Sequence, residues 1–74
     1  MLVNTELLNF YIERSGLRID FICDKLGLSW AGFDKKRKGE IPFRAAEVYV
    51  LKDLLRLTDD EASKVFLPKK LGED

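Results

Sequence analysis

The 74-residue chain has no histidine and a single cysteine. Zinc sites draw on imidazole and thiolate, so the chain has too few soft ligands to build one. One cysteine excludes an internal disulfide and suits a reducing compartment, so a cytoplasmic location is expected. The chain also lacks a glycine-rich phosphate loop, a nucleophile–base pair and a metal-binding constellation. Neither an enzymatic activity nor a cofactor is therefore expected. No apolar run approaches the ~20 residues needed to cross a bilayer. The N-terminus shows no basic flank followed by an apolar stretch, so no secretory signal is expected. An excess of charge of one sign is missing as well: 13 Lys and Arg balance 13 Asp and Glu.

What is there is unevenly placed. Residues 1–34 hold three basic and five acidic side chains, and residues 45–74 hold five and seven. The ten residues between, 35–44, hold five basic and one acidic. A local basic patch matters more to a polyanion than net charge does. Apolar residues make up 46% of the sequence, enough for a core. A chain this short buries only ~60% of its unfolded surface, so one thinly stabilised domain is expected over residues 1–74. Its core should cover about 3–67, with a tail at 68–74.

Helical periodicity and capping residues divide the chain into five short helices. The first runs from Thr5 to Ser15, with Asn4 as its cap, Glu6 in the favourable first turn and Gly16 at its end. Leu8 and Ile12 stack on one face, Leu7 and Tyr11 form a neighbouring stripe, and Phe10 lies off both. The second helix spans Ile19–Leu26 and the third begins after Ser29. Pro42 stands at the start of the fourth, which runs to about Leu55. Its inward stripe is Val48, Leu51 and Leu55, widened by Tyr49 and Leu54. Thr58 and Glu61 form a capping box, so the fifth helix spans about Asp59–Phe66, with Ala62, Val65 and Phe66 inward. Pro68 stops it, and Leu71–Asp74 should fray. No strand signal competes, and the expected class is all-α.

Residues 17–39 organise this arrangement. Ile22 and Leu26 lie four apart on one face, flanked by Phe21 and Cys23. Gly27 admits the left-handed backbone that ends the helix, and Ser29 caps the next one. That helix has one apolar anchor, Phe33, and ends in Lys35-Lys36-Arg37-Lys38-Gly39. Two short helices joined by a glycine-containing turn, the second with a basic end, are the parts of a helix-turn-helix.

The run Ile22-Cys23-Asp24-Lys25-Leu26-Gly27-Leu28-Ser29 resembles the signature of the Cro/cI-type (XRE-like) helix-turn-helix domains of small phage repressors. Cys23 stands at the family's small packing position, and Phe33 at its buried position in the recognition helix. Asn4–Leu8 and Gly39–Thr58 resemble the family's first and fourth helices, so the likeness covers about residues 3–67. It implies a compact five-helix, lambda-repressor-like bundle. It also implies a DNA-binding transcriptional regulator that represses by occupying operator DNA, with the third helix in the major groove and a homodimer on a two-fold site.

With Phe33 inward, ~100° per residue places Ala31 and Lys35 nearly opposite it and Asp34 to one side. Trp30, Lys36 and Arg37 fall closer to the inward side. Trp30, Ala31, Asp34 and Lys35 are the candidates for base contact. Lysine donates to guanine, aspartate accepts from cytosine, and alanine touches a thymine methyl. Arg18, Lys36, Arg37, Lys38 and Arg44 are the candidates for phosphate contact. The basic run has a second reading, as a solvated helix end that complements the helix dipole. Trp30 has one too, as a partly buried ring packed on Phe33 and the stem of Arg37. Phe10 and Tyr11 cannot share one core face, which makes one of them a candidate dimer contact. Cys23 is expected to be a buried apolar residue.

The sequence departs from the family on this face. Relatives carry Gln, Ser, Asn or Arg where this chain has Ala31 and Asp34, and a polar phosphate-binding residue where it has Ile19. An aliphatic residue usually stands near Lys36 and Arg37, whose stems are expected to cover apolar surface while their charges reach water or phosphate. These departures keep a second function open: a helix-turn-helix-fold module, antitoxin-like or anti-repressor-like, that binds protein and little or no DNA. If the first function holds, replacing Lys35 and Lys36 with alanine should weaken duplex binding without unfolding the domain.

Overall fold

Leu8, Ile22, Phe33, Leu51 and Val65 meet at the centre of the molecule, each fully buried and each from a different helix. The computed structural model describes residues 3–66. Over that span the chain is all-helical: α1 (Thr5–Ser15), α2 (Ile19–Leu26), α3 (Trp30–Arg37), α4 (Ala45–Leu54) and α5 (Asp59–Val65). Among the described residues there is no strand, and no helix is long and apolar enough to cross a membrane. Pro68 and the expected tail at 68–74 lie outside the described residues.

The first three helices have the bounds that their caps imply. Asn4 Oδ1 accepts the Leu7 N–H at 3.1 Å, and Ser29 Oγ accepts the Gly32 N–H at 3.1 Å. α2 ends in a left-handed Gly27 with φ 70°. The Gly27 and Leu28 N–H groups turn back to the Asp24 and Cys23 carbonyls, the double closure that needs a left-handed residue at that point. This closure aims Leu28 at the core, against which it packs. α4 closes in the same way, with Arg56 and Leu57 bonding back to Asp53 and Lys52. Its left-handed residue is Arg56, at φ 55°, where glycine is the usual occupant.

α4 starts later than its proline suggests. Residues 42–44 are outside any helix, and Arg44, in an extended conformation, is the N-cap. Two contacts account for the shift. Phe43 turns into the core between Phe33 and Phe66, with ring centroids 6.3 and 5.7 Å apart and edges meeting faces. The Glu47 carboxylate accepts the Arg44 N–H at 2.8 Å, which sets the first turn of the helix one residue on. Arginine has no acceptor atom, so this is half of a capping box. The Thr58–Glu61 box is complete, with both reciprocal bonds present.

Tyr49 does not widen the α4 stripe; it is 72% exposed. Leu51 and Leu55 set the buried line, and Tyr49 lies about 200° from Leu51 on the wheel. Phe10 is exposed beside the buried Tyr11, their rings 5.2 Å apart. Cys23 is buried and its thiol is pushed above the ordinary range, chiefly by loss of solvation.

Candidate nucleic-acid interface

α3 is seated from below by one ring and one ion pair. Phe33 is 0% exposed and Lys36, three residues along on the same side, is 9% exposed. The Lys36 ammonium donates to both oxygens of Glu47, at 2.6 and 2.8 Å. Burial alone would raise the Glu47 carboxyl. The Arg44 N–H and the Lys36 ammonium outweigh it and hold the group below its ordinary value. From a third side, the Thr5 hydroxyl donates to the Arg37 carbonyl at 2.7 Å, tying the start of α1 to the last turn of α3.

This geometry corrects the expectation for Lys36. Its charge does not reach water or phosphate, because it is paired inside the fold with the Glu47 carboxylate of α4. The reason is geometric: Lys36 lies only about 60° round the helix from Phe33, so its stem runs inward and its ammonium needs a buried anion. Glu47, on the facing helix, is that anion.

The remaining charges of the run are also partly committed. Asp34 is gripped by Arg37 and by Lys38, the latter at 2.9 Å. These bonds, Lys38 first and Arg37 second, hold its carboxyl below the usual range. The same pairing raises Lys38. A carboxylate that already accepts from two cations is a poor acceptor for a cytosine amino group, which removes the reason for placing Asp34 among the base readers. Arg37 lies 5.7 Å from the ring centroids of both Trp30 and Phe33.

Trp30 is 55% exposed with the Arg37 guanidinium over its ring, so the packed-ring reading holds for the Arg37 side of the ring and the rest stands in solvent. As the first residue of α3 it has no preceding turn to lie against, and Arg37 touches one face only. Ala31 and Lys35 are both exposed, as expected of positions opposite Phe33. Lys35 makes no ion pair among the described residues.

Arg18 and Arg44 occupy the N-caps of α2 and α4, and both are exposed. Arg18 reaches Asp20 at 3.2 Å, and that bond lowers the Asp20 carboxyl. Ile19 packs against the core. The exposed side of α3 therefore presents Trp30, Ala31 and Lys35, with Lys38 at the helix end; the Arg37 side chain is mostly covered, and Arg44 is exposed at the start of α4. Two grooves lie elsewhere. One runs between α1, α2 and α4 past Leu17, Phe21 and Leu54, and the other between α4 and α5 past Val48, Tyr49 and Phe66.

Sequence reasoning missed Glu47, Thr5 and Phe43 as the residues that hold α3. A signal for the first was available: Lys36 and Glu47 are opposite charges at inward positions of successive helices. No family model, curated protein or solved structure matches the chain.

Proposed function

We propose that this chain is a DNA-binding transcriptional regulator resembling the Cro/cI-type phage repressors, with a lambda-repressor-like helix-turn-helix formed by α2 and α3. One observation carries the reading. Phe33 is sealed beneath α3 while Ala31 and Lys35, on the opposite side, stand in solvent. An α-helix seated by one flank, with a bare and locally basic outer flank, is the shape that enters a major groove. Lys35 meets a base edge or a phosphate. Arg44, with Lys38, Arg37 and Arg18 beside their carboxylate partners, supplies the phosphate contacts. One such domain covers few bases, so a homodimer on a two-fold site is the form that would repress, by occupying the operator.

Protein binding is the second reading, favoured by Phe10, Phe21, Trp30, Ile41 and Tyr49, all large, apolar and exposed. Retention of random-sequence duplex DNA at two salt concentrations separates the two. The first reading expects an affinity that falls by roughly one log unit per log unit of salt for each phosphate neutralised. Absence of binding to any duplex at ~50 mM salt would leave the protein-binding module standing alone.

A further inference from the structure

Given the DNA reading above, on which this inference rests, the polar content of the α3 outer face is unusually small. Asp34 is closed off by Arg37 and Lys38. The Ser29 hydroxyl is engaged in capping the Gly32 N–H at 3.1 Å. Lys36 is inside the fold, bonded to Glu47. What remains at the leading end is largely apolar: the indole of Trp30, 55% exposed and polar only at its N–H, and the methyl of Ala31, also exposed. Lys35 follows one turn later as the cation with no carboxylate partner among the described residues.

We infer that Trp30 and Ala31 read the C5-methyl groups of thymine. In the major groove thymine is the base that presents an apolar group, and an alanine methyl or an aromatic ring is the side-chain chemistry that meets it. Trp30, the first residue of α3, is more than half exposed, and the Arg37 guanidinium, 5.7 Å from its ring centroid, steadies the ring. Lys35, four residues after Ala31, falls over the next step of the groove, where it donates to guanine O6 or N7. The preferred half-site is thus one or two thymines followed by a guanine, read with almost no hydrogen bonding from the first turn of α3.

The probe is a randomised duplex pool of about 20 base pairs, two helical turns, taken through rounds of binding to the full chain. The winning duplex is then remade with deoxyuridine in place of thymidine, which removes the methyl groups and nothing else. Binding should weaken roughly fourfold for each methyl contacted. The variant Trp30→Ala/Ala31→Ser should bind the two duplexes equally and keep the wild-type salt slope. Trp30 is the only tryptophan, so its emission should also shift on the thymidine duplex. Equal binding of both duplexes by the unaltered chain overturns the inference and leaves the DNA reading intact. So does an emission spectrum that does not change on bound DNA. Failure to retain any duplex at ~50 mM salt removes the DNA reading and this inference together.

Discussion

α2 and α3 are each eight residues long and stand side by side, yet they are held by different forces. α2 buries Ile22 and Cys23 and rests Ile19 and Leu26 on the core, so its seat is apolar and spread over its length. α3 buries one ring and one charge, Phe33 and Lys36. Its position depends on that ring, on the Lys36–Glu47 pair and on the Thr5 hydroxyl. A helix whose outer flank is bare has little surface left with which to hold on. It then relies on a few specific bonds, and those bonds respond to pH and to single substitutions in a way that dispersed apolar packing does not.

The largest expected effect is at the ring. Phe33→Ala should cost about 3–5 kcal/mol in urea unfolding, against about 1 kcal/mol for Cys23→Ala in α2. Similar losses at the two sites would mean that α3 is not specially dependent on one anchor.

Next comes the ion pair. Glu47→Ala leaves the Lys36 ammonium buried without its anion and should cost roughly 3 kcal/mol, whereas Lys36→Met/Glu47→Leu should recover most of that loss. The earlier expectation that Lys35 and Lys36 can be replaced together without unfolding is revised accordingly: Lys35→Ala should be silent in stability, and Lys36→Ala should not.

The pair also sets a pH dependence. The folded Glu47 carboxyl lies below its unfolded value, so its stabilisation is fully present above about pH 4.3 and is lost as pH falls through the folded value. The midpoint of urea unfolding should therefore drop more steeply below pH 4.3 for the wild type than for Lys36→Met/Glu47→Leu. Parallel curves would show that Glu47 is not perturbed by folding.

The smallest effect is a gain. Arg56→Gly relieves a left-handed arginine at the end of α4 and should stabilise by about 0.5 kcal/mol after the entropy of glycine is subtracted. This change lies on a helix end far in sequence from α3, so it should leave duplex binding untouched. A loss of stability would mean that the Arg56 side chain makes a contact worth more than its backbone strain.

The sequence was most informative where structure is local. Asn4, Gly16, Gly27, Ser29, Thr58 and Glu61 act within three or four residues of themselves, so helix ends and capping bonds followed from spacing alone. Phe33 followed too, as the one clear apolar anchor of its helix. The pairing of Lys36 with Glu47 did not, because it joins residues eleven apart through a bend whose course is set by Phe43. Treating residues 35–38 as one basic run hid the fact that a helix sends its neighbours in four directions. Counting charges in a window therefore overstated the patch. The structure divides it into an inner cation, two cations shared with Asp34, and the exposed Lys35.

The most direct measurement is the salt dependence of duplex binding for the wild type, Lys35→Ala and Lys64→Ala, the last an exposed cation on α5. Lys35→Ala should weaken binding and flatten the slope by about 0.9, the share of one phosphate, if it meets the backbone, or weaken binding at unchanged slope if it meets guanine; Lys64→Ala should match the wild type. A Lys35→Ala protein that binds duplex DNA as tightly as the wild type at every salt concentration would contradict the account.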